Sequence, residues 1–137
     1  MREILFRGKC VNNGDWVTGV YYKQTEYYGD PCEEHYIITS TEDLGYDQAL
    51  DYYKVDPKTV GQFTGLYNKN SQRIFEGDIF EYADDCRYKV VWSDDKVGFY
   101  ADGLNFEDFD FLGNFYEDQI EIIGNIHDNP KLLEDKI

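Results

Sequence analysis

The sequence has little of what helical bundles, zinc centres and disulfide scaffolds require. Helical spacing of apolar residues is nearly absent, and short alternating runs separated by Gly, Asn and Asp replace it, which is typical of an all-β protein. Cys10, Cys32 and Cys86 are odd in number, widely spaced and without a C-x-x-C pair. This pattern argues against a zinc site and against a disulfide framework, and we expect free thiols in a reducing compartment.

Basic residues and long apolar runs are scarce as well. The 137 residues include 13 basic and 28 acidic side chains, giving a net charge of -15, and the basic residues are scattered singly. Such a surface repels phosphate backbones and anionic lipid headgroups, so we expect neither direct nucleic-acid binding nor membrane attachment. No run reaches the roughly 18 apolar residues of a membrane span, and the N-terminus has no apolar segment of signal-peptide length. We expect a soluble, cytoplasmic protein.

Aromatic residues are abundant, at 18% of the chain, and most of them are tyrosine. Disordered chains are poor in aromatics, so this composition predicts a folded protein. Alternating apolar and polar residues bounded by turn residues mark the expected strands. These strands cover residues 2–9, 16–22, 35–39, 79–82, 87–92, 97–100 and 121–126.

The connections between these strands are less regular. Residues 29–31 are expected to form a loop and residues 101–103 a turn, while residues 55–64 are expected to be extended. Residues 41–53 are compatible with a helical turn or with none, because Gly45 interrupts the helical pattern. Asn129-Pro130 is typical of a helix start and predicts one turn over residues 131–136.

The strand pattern predicts an all-β protein in two parts. An N-terminal all-β subdomain, a sheet lobe, is expected over residues 1–66, and a second subdomain over residues 67–137. Short strands joined by polar turns between about residues 74 and 126 suggest a small SH3-like barrel in the second part. The C-terminal helical turn would follow that barrel.

The stretch VGQFTGLYNKNSQRIFEGDIFEY, residues 60–82, contains several glycines but no phosphate-binding loop. It has no G-x-x-x-x-G-K-[ST] motif and no following helix that would present its N-terminus to an anion. Glu76-Gly77-Asp78 instead reads as the turn that starts a strand, because Gly permits an unusual backbone angle and Asp bonds nearby amides. Residues 60–63 and 123–126 share an apolar-Gly-amide-apolar pattern, which is too short to establish a repeat, and their glycines are expected at a bulge or a close backbone approach.

Candidate catalytic groups do not converge in the sequence. Glu33 and His35 would share one face of a strand, which supplies one carboxylate and one imidazole and falls short of a metal site. The acidic neighbours of Cys32 oppose formation of a thiolate there. Adjacent carboxylates are frequent, as expected when acidic residues are so numerous, and no G-x-S-x-G motif occurs. We therefore predict no catalytic residues, no cofactor and no bound metal.

The segment 106–118 combines aromatic and acidic residues more densely than any other. In an extended strand Phe109 and Phe111 lie on one face, with Asp108 and Asp110 on the other. One interpretation is that the aromatics fill the core. The other is a protein interface, in which aromatic anchors are rimmed by charge. The residues of that possible interface are Phe106, Phe109, Phe111, Phe115 and Tyr116.

Several segments in fixed order resemble the YopX family of proteins from bacterial phages and prophages. They are MREILFR at residues 1–7, VDPKTVGQFTGL at 55–66, NKN at 68–70, IFEGDI at 74–79 and IGNIHDNPKLL at 123–133. The resemblance implies an all-β protein with an N-terminal sheet lobe and a C-terminal SH3-like barrel, encoded by a phage or prophage and located in the cytoplasm of the bacterial host. It implies no enzymatic activity and no catalytic residues.

These observations favour a non-enzymatic phage accessory protein that acts by binding proteins, including its own copies as a homo-oligomer. An alternative is an acidic DNA mimic that inhibits a host nucleic-acid-handling protein, which requires the carboxylates to form a stripe with phosphate-like spacing. A third possibility is an enzyme that uses scattered carboxylates with a divalent metal.

Overall fold

The computed structural model describes residues 2–40, 50–83 and 85–135. These residues form two antiparallel sheets and only short 3₁₀ turns, which confirms the all-β prediction. The chain divides into two compact units, Met1–Gln62 and Phe63–Ile137. The boundary falls inside strand β5, Gly61–Tyr67.

The first unit is an antiparallel sheet with the strand order β4-β3-β2-β1-β5. Its strands are β1 (Phe6–Lys9), β2 (Trp16–Tyr27), β3 (Asp30–Ser40) and β4 (Leu50–Lys54). Gly61 and Gln62, the first residues of β5, pair with β1. On one face of this sheet Ile37 is fully buried, and the Phe6 and Tyr21 rings lie 5.6 Å apart.

Several predictions for the first unit are wrong in their boundaries, and the first strand begins at Phe6 rather than at residue 2. The loop expected at residues 29–31 is a tight turn at Tyr28 and Gly29, whose φ angles of 48° and 84° are both positive. Such a turn matches the twist of a hairpin, so Asp30 and Pro31 already lie in β3 and pair with β2. Strands β2 and β3 are therefore longer than predicted.

The segment expected to be extended, residues 55–64, is interrupted by a 3₁₀ turn at Pro57–Thr59. Asp56 caps this turn, because its Oδ1 accepts a hydrogen bond from Lys58 N at 3.0 Å, and Pro57 occupies the first position. The pair Asp56-Pro57 carries the same signal that was recognised at Asn129-Pro130. In the ambiguous segment 41–53, residues 50–53 lie in β4, and residues 41–49 lie outside the described residues.

The second unit contains the remainder of β5 and six further strands. They are β6 (Arg73–Phe75), β7 (Asp78–Tyr82), β8 (Cys86–Ser93), β9 (Gly98–Gly103), β10 (Phe109–Phe111) and β11 (Ile120–Asn125). Strand β5 pairs with β6, and the five others form a sheet in the order β10-β9-β8-β7-β11. In the described part of the chain this sheet is open, with β10 and β11 at its edges, so the SH3-like barrel is not confirmed.

The turn predicted at residues 101–103 is also wrong. Ala101, Asp102 and Gly103 continue β9, where they pair with β8 on one side, and Ala101 and Asp102 pair with β10 on the other. The C-terminal turn is confirmed as a 3₁₀ helix at Pro130–Asp135. Gly124 lies at a bulge of β11, where a Cβ atom would approach Asn129 Oδ1 to 2.4 Å.

The core of the second unit is built around three aromatic rings. Phe80 is fully buried and stacks on Tyr88 at 5.3 Å, while Phe115 packs edge-on against both. Aromatic pairs in such geometries contribute about 0.5–1.5 kcal/mol each beyond the burial of their area. The buried aliphatic residues of the same cluster are Ile74, Val90, Ala101, Leu112 and Ile120.

The turn at residues 75–78 joins β6 to β7 through a buried carboxylate. Asp78 is 2% exposed, and its Oδ2 accepts a hydrogen bond from Phe75 N at 2.8 Å. Gly77 has a φ of 93°, its N–H donates to Val90 O, and its carbonyl accepts from Ile126 N. The prediction that Glu76-Gly77-Asp78 starts a strand is confirmed, since β7 begins at Asp78.

Replacement of Asp78 by alanine is expected to lower the free energy of unfolding by about 1–3 kcal/mol. The variant would leave the Phe75 amide without its buried acceptor, and a buried unsatisfied donor costs about that amount. Urea denaturation at pH 7 measures the effect. Asp95→Ala removes an exposed carboxylate in the same unit and is the matched control. Equal midpoints for the two variants would contradict the role assigned to Asp78.

Candidate functional site

Three aromatic side chains form an exposed surface on the second unit. Strands β9 and β10 place Tyr100 opposite Phe111, and Asp102 opposite Phe109, so the three rings share one face. The Tyr100 and Phe109 rings stack at 4.9 Å with an angle of 8°, and Phe111 lies 5.8 Å from Tyr100. Phe109 and Phe111 are 43% and 47% exposed. We call Tyr100, Phe109 and Phe111 the aromatic platform.

A lysine from the β8–β9 connection lies over this platform. The Lys96 ammonium is 5.2 Å from the ring centre of Tyr100 and 5.2 Å from that of Phe109. These distances are within the range of cation–π attraction. On the other side, the Phe111 ring occupies the space beside Gly113, where a Cβ atom would meet Phe111 Cε2 at 2.4 Å. The platform therefore has a defined geometry and already holds a cation.

An open cavity of about 660 Å³ adjoins the platform and is formed by one short segment of chain. Its lining residues are Asp102, Gly103, Asn105, Phe106, Glu107, Asp108 and Phe109. The Asp108 carboxylate at its rim accepts a hydrogen bond from the Tyr88 hydroxyl at 2.7 Å. Asn105 also bonds Arg87 N and Asp85 O. These bonds tie the cavity wall to strand β8 and to the turn before it.

The five residues of the predicted interface do not lie together. Phe115 is buried in the core, and Phe106 packs against that core, edge-on to Tyr88 at 5.2 Å. Phe109 and Phe111 lie in the platform, and their predicted location on one face is confirmed. Tyr116 is exposed. The core interpretation is therefore correct for Phe115 and Phe106, while an interface at the exposed residues Phe109, Phe111 and Tyr116 stays a prediction.

Tyr100 and Lys96 were not predicted from the sequence as members of this surface. Tyr100 was the last residue of a predicted strand, and the pairing of that strand with residues 109–111 was not predicted. The available signal was the alternation of residues 98–103, which continues past residue 100. Lys96 was not predicted as part of a site, although it is the one basic residue between residues 93 and 118.

The first unit carries a second exposed surface, on the sheet face opposite Ile37. Val20 pairs with Ile38, Tyr22 with Tyr36, and Ile38 with Tyr52, so these five side chains share one face. We call Val20, Tyr22, Tyr36, Ile38 and Tyr52 the tyrosine face. Val20, Tyr22 and Tyr52 are between 49% and 61% exposed. This surface was not predicted from the sequence. Its composition depends on the pairing of β4 with β3, which was not predicted.

Glu33 and His35, which the sequence analysis considered as possible catalytic or metal-binding residues, form a pair within the described residues and are not part of a larger cluster of such groups. Glu33 and His35 share a face, as predicted, with Glu33 Oε1 4.0 Å from His35 Nε2 and 3.1 Å from Lys23 Nζ. The hydrogen bond from Lys23 lowers the pKa of Glu33, and the His35 Nδ1 is hydrogen-bonded to the Tyr21 hydroxyl. Among the residues that the structure describes, no three His, Cys, Asp or Glu side chains are grouped to hold a metal. The same residues include no helix long and apolar enough to cross a membrane.

The Tyr88–Asp108 bond predicts a change in stability at alkaline pH. Burial, followed by the hydrogen bond to Asp108, raises the pKa of Tyr88 above its ordinary value of about 10. The folded state then retains a proton that the unfolded state loses, so the contribution of Tyr88 is complete below pH 10 and is lost as the pH rises through its folded-state pKa. Tyr88→Phe should reduce the fall in stability between pH 10 and pH 11.

Urea denaturation of both proteins at pH 8, 10 and 11 measures this difference. At pH 8 the variant should be less stable by about 1 kcal/mol, because one hydrogen bond is lost. Tyr116→Phe, which removes an exposed hydroxyl, is the matched control. Parallel pH dependence in the wild type and Tyr88→Phe would show that Tyr88 does not retain its proton in the folded state.

Comparison with known proteins identifies the family. Its model, described as YopX protein, matches residues 6–134. Among solved structures, the crystal structure of protein EF1440 from Enterococcus faecalis is similar, with a TM-score of 0.55 and 22% identity, over 97% of this chain and 99% of that chain. At this identity the likeness concerns the fold alone. A search of curated proteins gave no match. The resemblance seen in the sequence is confirmed: the chain belongs to the YopX protein family.

Proposed function

We propose that the protein is a phage-type accessory protein that acts by binding other proteins, including a second copy of itself, and that it is not an enzyme. The tyrosine face of the first unit carries this proposal. Membership of the YopX family supports the phage-type assignment. The location that follows from it is the cytoplasm of the bacterial host.

The tyrosine face has the composition of a protein interface. An exposed group of apolar and aromatic side chains on a sheet is a common mark of an interaction site. Tyrosine suits such a site, because its ring supplies apolar area and its hydroxyl remains able to bond water or a partner. On the same face Glu34 accepts a hydrogen bond from the Tyr36 hydroxyl and lies 3.7 Å from Lys54 Nζ. The charged side chains beside the tyrosine face therefore include an acidic one, Glu34, and a basic one, Lys54.

The distribution of charge favours the first unit for contact between copies. Residues 1–62 contain eleven acidic and six basic side chains, a net charge of -5, while residues 63–137 contain seventeen and seven, a net charge of -10. Two like-charged surfaces repel each other. Self-association is therefore less opposed at the tyrosine face than on the more acidic second unit.

Sedimentation velocity over a range of protein concentrations tests this proposal. The wild type should form a dimer, and Tyr22→Glu should weaken the dimer at least tenfold, because symmetry would bring two new carboxylates to one interface. Tyr28→Glu is the matched control, since it adds the same charge at an exposed position in the β2–β3 turn, outside the tyrosine face. A wild type that stays monomeric at the highest concentration, or equal effects of the two variants, would overturn the proposal.

The acidic DNA mimic remains the alternative to this function. Capture of host proteins by the tagged chain, repeated with competing duplex DNA, separates the two. Release of a captured DNA-handling enzyme by the competitor would favour mimicry.

A metal-dependent enzyme is the third possibility. A stabilising shift in melting temperature with Mg²⁺ or Mn²⁺ would support it.

A further inference from the structure

We infer that the aromatic platform and the adjoining cavity form a docking surface for a basic, arginine-containing segment of a partner protein. This inference rests on the proposed binding role and assigns it a second site and a partner chemistry. It uses the second unit alone and is independent of the tyrosine face.

The aromatic platform already holds a cation, the Lys96 ammonium. The Lys96 ammonium lies 5.2 Å from the ring centres of both Tyr100 and Phe109, so the geometry accommodates a positive group. Lys96 is exposed, and a flexible exposed side chain is displaced at low cost. The face of an aromatic ring attracts a guanidinium as well as an ammonium, and the planar guanidinium also stacks on the ring. An arginine from a partner can therefore replace Lys96.

The charge around the platform is negative. Residues 93–118 contain eight acidic side chains and one basic side chain, Lys96 itself, for a net charge of -7. Asp102 lies on the platform face beside Phe109, but Lys89 of β8 lies on the same face, with its Nζ 3.8 Å from the Asp102 carboxylate, and offsets that charge. Glu107 and Asp108 line the adjoining cavity. Carboxylates in this arrangement attract a basic segment from a distance and set its orientation.

The size of the cavity and the charge of its lining bear on which molecule can occupy the site. The cavity of about 660 Å³ begins at Asp102 and Phe109, so a second cationic side chain has room beside the one that stacks on the platform. A nucleic acid is disfavoured, because its phosphates would face the same carboxylates. A second copy is disfavoured as well, because its own second unit carries the same negative charge.

Fluorescence anisotropy with two labelled peptides tests the inference. One probe is an octapeptide of alternating arginine and glycine, and the other replaces each arginine by lysine, which keeps the charge. The arginine peptide should bind more tightly. Phe109→Leu and Phe111→Leu should each weaken its binding about two- to fivefold, which corresponds to the cation–π energy of an exposed site. Trp92→Leu is the matched control, because Trp92 is an exposed aromatic on the other face of the same sheet.

Lys96→Ala provides a readout that does not depend on the aromatic substitutions. Removal of the internal cation should tighten binding of the arginine peptide severalfold. Lys131→Ala removes one exposed positive charge elsewhere in the second unit and should change the affinity less. Far-UV circular dichroism of each variant establishes that it is folded.

The outcomes separate the two proposals. Equal affinities for both peptides, together with no effect of Phe109→Leu or Lys96→Ala, would reduce the interaction to general charge attraction and would overturn this inference. Absence of binding would overturn it as well. Neither result bears on the dimer measurement with Tyr22→Glu. If the wild type is monomeric but binds the arginine peptide, the proposal of self-association is rejected and the proposal of this docking surface is kept. DNA is not a component of the assay, so the result does not depend on mimicry.

Discussion

The buried carboxylate of Asp78 is the constraint on which the second unit depends. It accepts the Phe75 amide across a tight turn and so fixes the point at which β7 begins. Strand β7 pairs with β8 on one side and with β11 on the other, and Gly77 of the same turn is hydrogen-bonded to Val90 O in β8 and to Ile126 N after β11. A carboxylate is normally too costly to bury, and it is tolerated here because its hydrogen bonds replace those it made to water.

The pairing of β7 with β8 also determines where the aromatic residues lie. It places Phe80 against Tyr88, and Phe115 closes the cluster from the segment after β10. Tyr100 of β9 and the two phenylalanines of β10 lie on the opposite face of the sheet, where they form the platform with Lys96. Tyr88 belongs to both regions, because its ring is in the core and its hydroxyl holds the cavity wall through Asp108. Core and surface are thus coupled through one side chain.

The fold class and the approximate positions of most strands were readable from local signals. Alternation and the Glu76-Gly77-Asp78 turn each depend on neighbouring residues, and the strands that they predicted are present. Several errors lie where pairing extends a strand beyond its local pattern, as at Ala101 and Asp102, which pair with strands on both sides. The missed strand β6 has three residues, too few to show a period. The barrel was inferred from strand number and spacing, and these do not specify closure.

The sequence by itself determined that the chain is acidic, rich in tyrosine, all-β and a member of the YopX family, because composition, short-range alternation and motif order are local properties. Only the tertiary structure decided which aromatics are core and which are surface. Phe115 and Phe111 stand in the same aromatic and acidic segment, yet one is buried and the other exposed. That difference depends on which strands lie opposite each residue, and pairing between distant segments is not encoded in their spacing. The tyrosine face and the aromatic platform exist only once those registers are set.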